Sequence, residues 1–218
     1  MIGTTLPSAV VTVEAFDDVP GEPPFPGEED LIAGAVESRR REFITARRCA
    51  RAALRALGHP DAPIRPGPRR EPLWPPGITG SITHCAGYRA AAVARTTDVP
   101  LLGVDAEPNG PLPEGIAESI TVPGEPEMLD RLDRSHPGTH WARLLFSAKE
   151  SVYKAWFPVT RRWLGFEEAR LTIDPAAGTF TAELLVDGAR IDGGPPLTVL
   201  NGRFAVGRSL VLTAVSSM

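Results

Sequence analysis

A chain of 218 residues with 42% hydrophobic content holds enough apolar material for one good core or two small ones, so independent folding is expected. A net charge of −4 excludes a general nucleic-acid binder, which carries a basic surplus over its whole domain; any anionic ligand must meet a local basic patch. Two cysteines, Cys49 and Cys85, are too few for a disulfide framework and lack metal-ligand spacing, and neither an export leader nor eighteen consecutive apolar residues occurs, so a reduced, cytoplasmic protein away from membranes is expected.

In chain order, the first long helical pattern covers residues 28–57, where Phe43, Ala46, Ala50, Leu54 and Leu57 recur at three- and four-residue steps. Gly58 and Pro60 stop it. Its other faces carry Arg39, Arg40, Arg41, Arg47, Arg48, Arg51 and Arg55, more guanidinium than solubility requires. A proline- and arginine-rich loop over 60–77 leads to strand-like runs at 78–83, 88–94 and 101–107. Residues 108–126 are crowded with proline and glycine and read as the connection between an N-terminal half, 1–108, and a C-terminal half, 109–218.

The second half repeats the plan. A helix over about 140–157 buries Trp141, Leu144, Leu145, Ala148, Val152 and Ala155 or Trp156, with Pro158 as its stop. Strand-like runs follow at 169–173, 179–186, 197–200, 203–206 and 210–215, punctuated by the hairpin dipeptides Asp187-Gly188 and Asn201-Gly202. Helix-then-sheet, twice, predicts the α+β class; any symmetry between the halves rests on element order alone.

Three local patterns carry chemistry. In Gly103-Val104-Asp105-Ala106-Glu107 an apolar strand ends in two carboxylates at i and i+2, which share one side of a strand. Two like charges held together call for a cation, and hard oxygen ligands suit Mg²⁺; the same letters also fit an acidic exposed edge strand. In Phe146-Ser147-Ala148-Lys149-Glu150-Ser151-Val152-Tyr153-Lys154, Arg143, Ser147, Glu150 and Lys154 form one stripe opposite the apolar face. Glu150 and Lys154 make either an ordinary i, i+4 surface pair or part of a cleft wall, where Glu150 adds a third carboxylate and Lys154 neutralises a phosphate oxygen. Ser81-Ile82-Thr83-His84-Cys85 delivers hydroxyls and an imidazole into a turn, where a lone histidine is structural more often than functional.

These three motifs stand in the order and approximate spacing found in Sfp-type 4'-phosphopantetheinyl transferases, and the chain resembles that family from about residue 28 onward. The likeness extends to Arg-Arg-Glu-Phe-Ile-Thr-Ala-Arg (40–47), Arg-Glu-Pro-Leu-Trp-Pro (70–75) and Lys-Ala-Trp-Phe-Pro (154–158), and is strongest to the bacterial branch that activates siderophore, polyketide and lipid synthases.

The resemblance implies a pseudodimer of two similar α+β halves, each a long helix on a small, mainly antiparallel sheet, with coenzyme A and Mg²⁺ (Mn²⁺ as an alternative) between them. It implies a monomer that transfers phosphopantetheine from coenzyme A to a serine of apo acyl or peptidyl carrier proteins, or carrier domains of polyketide, nonribosomal peptide or fatty acid synthases. Asp105, Glu107 and Glu150 would hold the metal; Glu150, Lys154 and Asp105 would serve catalysis; Arg39, Arg47, Arg70, Thr83, His84, Lys149, Lys154 and Trp163 would bind coenzyme A. Trp156, Phe157, Arg161, Arg162, Trp163, Leu164 and Phe166 are expected either to meet the carrier or to pack the core. The chain departs from the family at Ala106, where some members have an acid, and at Pro66, where relatives have a lysine for which Arg65 or Arg69 could substitute. Two other readings remain: a non-catalytic coenzyme A or carrier binder, and a magnesium-dependent phosphodiester hydrolase.

Overall fold

The computed structural model describes residues 1–217. In chain order the elements are β1 (Val11–Ala15), α1 (Glu37–Ala56), β2 (Ile78–Cys85), β3 (Tyr88–Arg95), β4 (Leu101–Pro108), α2 (Ile116–Ile120), α3 (Glu125–Ser135), α4 (Trp141–Thr160), β5 (Ala169–Asp174), β6 (Thr179–Leu184), β7 (Val199–Gly207) and β8 (Leu210–Ser217). The strands form a three-stranded sheet, β1-β3-β2, and a five-stranded sheet, β4-β8-β7-β6-β5, with antiparallel pairing throughout. This is the α+β class expected. No helix of the described residues is long and apolar enough to cross a membrane.

Helix α4 is the organising element of the larger core. Leu144, Leu145, Ala148, Val152, Ala155 and Trp156 are at most 1% exposed and pack on β4 and β8. The approach is close because Gly103 has no side chain: a Cβ there would lie 2.1 Å from the Ser151 carbonyl oxygen. The strand carrying Asp105 and Glu107 is thereby pressed directly against the helix carrying Glu150 and Lys154.

The two sheets meet along β2 and β4, and side chains make the join. Val104 N–H donates to Ser81 Oγ and Ala106 N–H to Thr83 Oγ1, each at 3.0 Å. Hydroxyls at i and i+2 of β2 face β4 together and stand where a ladder would offer main-chain carbonyls. The Ser-Ile-Thr-His motif is thus first a seam between the sheets, and His84 sits at its end.

Several expected boundaries move. Helix α1 begins at Glu37 instead of residue 28, because the Glu28 carboxylate turns inward, pairs with Arg51 at 2.9 Å and accepts the Ile64 N–H at 2.7 Å. Strand β4, expected to close the N-terminal half, pairs with β8 along its whole length and so lies in the C-terminal sheet. The supposed connection over 108–126 contains α2 and leads into α3, which buries Met128, Leu129 and Leu132. Pro158 does not end α4; it lies in the last turn, and Arg161 closes the helix in the left-handed region with its N–H on the Phe157 carbonyl.

Asn201-Gly202 is not a hairpin turn. Both lie within β7, where a Cβ on Gly202 would sit 2.0 Å from the Phe180 ring, so this glycine makes room for an aromatic side chain across the ladder. The β7–β8 turn falls instead at Arg208 and Ser209, both at positive φ (51° and 57°), as a tight two-residue hairpin requires. Asp187-Gly188 likewise lies in irregular chain between β6 and β7.

Candidate active site

A cleft of about 560 Å³ opens where α1, β2 and the 66–74 segment face α4. Arg39, Arg47 and Arg70 line it from the N-terminal side with His84, and Glu150 and Lys154 line it from α4. Phe43, Trp74, Tyr153 and Phe157 give it aromatic walls. Six residues named from the sequence therefore share one cavity.

Its electrostatics suit a polyanion. The Arg47 guanidinium lies 3.6 Å from the Phe43 ring centroid and donates through Nε to the Ile64 carbonyl. Burial lowers its pKa to about 10, so it remains charged at neutral pH. Arg39 NH1 lies 2.5 Å from His84 Nε2 and 3.5 Å from Glu42 Oε2. Burial, reinforced by Arg39, depresses His84 to about 4, which leaves a neutral ring beside a cation at neutral pH. Arg69 also lines the cleft, whereas Arg65 is held by both oxygens of Asp30 and by the Gly27 carbonyl. Of the two candidate replacements for the lysine absent at Pro66, only Arg69 is in place.

Behind the cleft's Lys154, Asp105 on β4 is a hub. Its Oδ1 accepts Lys154 Nζ at 2.6 Å and Thr83 Oγ1 at 3.2 Å, while its Oδ2 is buried without a partner. Lys154 also donates to the Val104 carbonyl at 3.2 Å. Burial raises the Glu150 carboxyl above the usual range, with Asp105 adding to the rise and Lys154 opposing it. Glu107 is raised by burial and Asp105 despite Arg143, whose NH1 donates to its Oε2 at 3.0 Å.

Of the three acidic residues expected to hold a metal, Glu107 and Glu150 both feel the charge of Asp105, but they form no finished cage with it: among the described residues, no three acidic, histidine or cysteine side chains gather as a ready-made metal site. Mg²⁺ does not need one, since it binds through one or two carboxylates, several waters and substrate phosphates. An orphaned, buried carboxylate oxygen on Asp105, whose charge is felt at Glu150, fits that requirement.

Three expected coenzyme contacts do not line the main cleft. Thr83 is buried in the seam between the sheets. Trp163 is 63% exposed and tilts on Tyr153, ring centroids 5.0 Å apart, over a separate recess of about 90 Å³. That recess shares Glu150 and Tyr153 with the main cleft. Lys149 borders that recess too, but all three of its donors are spent, on Glu125 Oε2, the Ile120 carbonyl and the Phe166 carbonyl, at 2.7–2.8 Å. One helical step of about 100° from Glu150 turns it away from the cleft into the core.

Glu125 in turn accepts the Val122 and Leu171 N–H groups. Side chains in this pair are 2% and 1% exposed, and removing one partner strands the other's charge. Lys149→Met is therefore expected to lower stability by about 3 kcal/mol or more in urea titration. An unchanged unfolding midpoint with a raised KM for coenzyme A would restore Lys149 as a coenzyme contact.

The expected carrier-facing group divides in the same way. Trp156, Phe157 and Leu164 are buried and belong to the core. Arg161 pairs with Glu71 at 2.8 Å, Arg162 with Asp187 at 3.4 Å, and Phe166 packs half-buried on Phe146. Among the apolar members only Trp163 is exposed. Sequence reasoning placed Phe43 on the apolar face of its helix and Trp74 only within the 70–75 motif; that both wall the cleft is seen only from the cavity.

A family model described as the 4'-phosphopantetheinyl transferase N-terminal domain matches residues 27–94, and one described as the 4'-phosphopantetheinyl transferase superfamily matches residues 101–194. The sequence is 53% identical over 219 residues to 4'-phosphopantetheinyl transferase Svp of Streptomyces mobaraensis, spanning 99% of this chain and 89% of that one. It is 48% identical over 226 residues to 4'-phosphopantetheinyl transferase PptT of Mycobacterium tuberculosis, spanning 99% and 97%. Enterobactin synthase component D of Salmonella typhi is 36% identical over 145 residues, which are 66% of this chain and 58% of that protein.

Proposed function

The chain belongs to the 4'-phosphopantetheinyl transferase superfamily, and from that premise we propose that coenzyme A lies in the 560 Å³ cleft with its phosphates among the arginines and its reactive end at Glu150. The enzyme transfers phosphopantetheine from coenzyme A to a serine of a carrier protein and releases 3',5'-adenosine bisphosphate. The observation that carries the assignment is the convergence of Arg39, Arg47, Arg70 and His84 with Glu150 and Lys154 on one cavity.

The serine hydroxyl oxygen attacks the β-phosphorus, the bond from that phosphorus to the bridging oxygen breaks, and the bisphosphate departs with the bond's electrons. Glu150 receives the hydroxyl proton; its raised pKa makes it a better base than a solvated carboxylate. Lys154, fixed by Asp105 and the Val104 carbonyl, supplies a point charge to the pyrophosphate. Arg39, Arg47 and Arg70 hold the adenosine 3'-phosphate with His84, whose neutral ring presents one donor and one acceptor, and Arg69 adds a charge where Pro66 offers none. Asp105, with Glu107 and Glu150 as companions, would hold Mg²⁺, which when bound neutralises charge developing on the phosphates.

The recess under Trp163 and Tyr153 takes the pantetheine arm. We assign the two sheet-and-helix units as the halves of a pseudodimer, with the change of half placed before β4, and the cleft between them needs only one chain. Partners are carrier domains of polyketide, nonribosomal peptide or fatty acid synthases in the cytoplasm; one relative's name, enterobactin synthase component D, ties that relative to a synthase.

The test is mass spectrometry of an apo-carrier incubated with enzyme, coenzyme A and Mg²⁺. A gain of one phosphopantetheine unit with stoichiometric adenosine bisphosphate is expected. Bisphosphate released without a carrier identifies a hydrolase instead, and coenzyme A binding without release identifies a non-catalytic binder.

A further inference from the structure

Arg47 and Arg51 stand one turn apart on α1, yet their guanidinium groups end in different places. Arg51 turns inward to Glu28, which is 0% exposed, and lies over the Phe25 ring at 4.2 Å from its centroid, whereas Arg47 lines the cleft. Among the described residues no acceptor meets NH1 or NH2 of Arg47; only its Nε is engaged, by the Ile64 carbonyl at 3.2 Å. Two nitrogens are left for a ligand.

Glu28 holds the residue that holds Arg47. Its Oε1 accepts the Ile64 N–H at 2.7 Å and Arg51 NH1 at 2.9 Å, so one oxygen ties α1 to the loop that carries Ile64. Ile64 is 2% exposed and packs among Cys49, Ala50 and Leu54, where no water can replace a lost acceptor. Without the carboxylate, the main chain at Ile64 must turn to satisfy its N–H, and the carbonyl on the other side of the residue turns with it. The Phe43 ring beneath Arg47 limits tilt but leaves the guanidinium free to slide across its face. The neighbouring tether, Arg65 on Asp30, is exposed on both sides, at 44% and 64%, and contributes little.

Burial works against the charge on Arg47, as do Arg51, Arg39 and Arg65, and Glu28 opposes them. A fully buried carboxylate whose Oε2 has no partner is costly to keep for packing alone. We propose that Glu28 is a positioning residue for the coenzyme: through Ile64 it aims Arg47 at the adenosine 3'-phosphate and so sets the preference for the 3'-phosphorylated form. The proposal rests on the reading that Arg47 holds that phosphate.

The test is calorimetric titration of the full chain with coenzyme A and, separately, with 3'-dephospho-coenzyme A, with folding checked by thermal melting. Arg47→Ala is expected to bind coenzyme A about tenfold more weakly and the dephosphorylated form within about twofold of the wild type. Glu28→Ala, which leaves Arg47 in the chain, is expected to reproduce that selective loss at about fivefold, with a lower melting temperature because Arg51 is stranded. Adding Glu28→Ala to Arg47→Ala is expected to leave the ratio of the two affinities unchanged within about twofold. Glu28→Asp keeps a charge for Arg51 but is one methylene too short to hold Ile64 as well, and a selective loss of about threefold is expected.

A folded Glu28→Ala variant that weakens both ligands equally, or neither, overturns the proposal and leaves Glu28 a support of the fold. A further fall of the ratio in the double variant overturns it too, because Glu28 would then act apart from Arg47. Wild-type preference in Glu28→Asp overturns it even where Glu28→Ala fails to fold. Wild-type preference in Arg47→Ala defeats the underlying placement of the 3'-phosphate, and the proposal with it.

Discussion

Asp105→Asn is expected to slow phosphopantetheine transfer by about a thousandfold or more while leaving a folded protein that melts cooperatively. The substitution keeps shape and an amide oxygen that can still accept from Thr83, so the seam between the sheets keeps its bond. What it removes is charge. Lys154 loses the anion that fixes it at 2.6 Å, and the buried Oδ2, which has no partner, is replaced by an amide group. Single-turnover transfer to an apo-carrier, followed by chromatography of the released bisphosphate, reads the loss. Turnover within tenfold of the wild type, in a variant that melts normally, would falsify the placement of charge at Asp105 as the centre of the chemistry.

The expected position of that carboxylate was legible because its determinants are local. Period-two alternation puts Asp105 and Glu107 on one side of a strand, and the apolar stripe of α4 shows which side of that helix is left for Glu150 and Lys154. The seven arginines of α1 also announced themselves, and three of the cleft's basic contacts, Arg39, Arg47 and His84, come from segments whose patterns were plain.

What escaped reading depends on partners distant in the chain. Nothing near Lys149 signals that Glu125, 24 residues earlier, waits in the core with the Leu171 N–H on its other oxygen. Glu28 looked like the start of a helix because its burial against Arg51 and Ile64 is a tertiary fact. Asn201-Gly202 carried the letters of a turn, yet the Phe180 ring across the ladder required glycine for space instead of for φ. Arg208 and Ser209, the true turn, carry none of those letters and adopt left-handed backbone because β7 and β8 are held in register around them.

Glu150→Gln separates a catalytic carboxylate from a structural one, because its expected effects on rate and stability have different signs. Burial raises the Glu150 carboxyl, Asp105 raises it further and Lys154 only partly offsets them; among the described residues no hydrogen-bond donor reaches its oxygens. As the base, it must be ionised, so the transfer rate should fall as pH drops through that raised pKa. The glutamine variant is expected to lose that acid limb and about a hundredfold to ten-thousandfold in kcat.

Stability runs the other way. Between the unfolded pKa and the raised folded one, the folded chain binds more protons than the unfolded chain, so the carboxyl's contribution is present at low pH and lost as pH rises through the window. Glutamine stays neutral throughout and escapes the loss. In the metal-free protein, the melting temperature of the variant relative to wild type is expected to be higher at about pH 8 than at about pH 4. A variant whose melting temperature relative to wild type is lower at pH 8 than at pH 4 would mean that Glu150 is held by favourable contacts when ionised, and its role as an unsatisfied, reactive base would have to be given up.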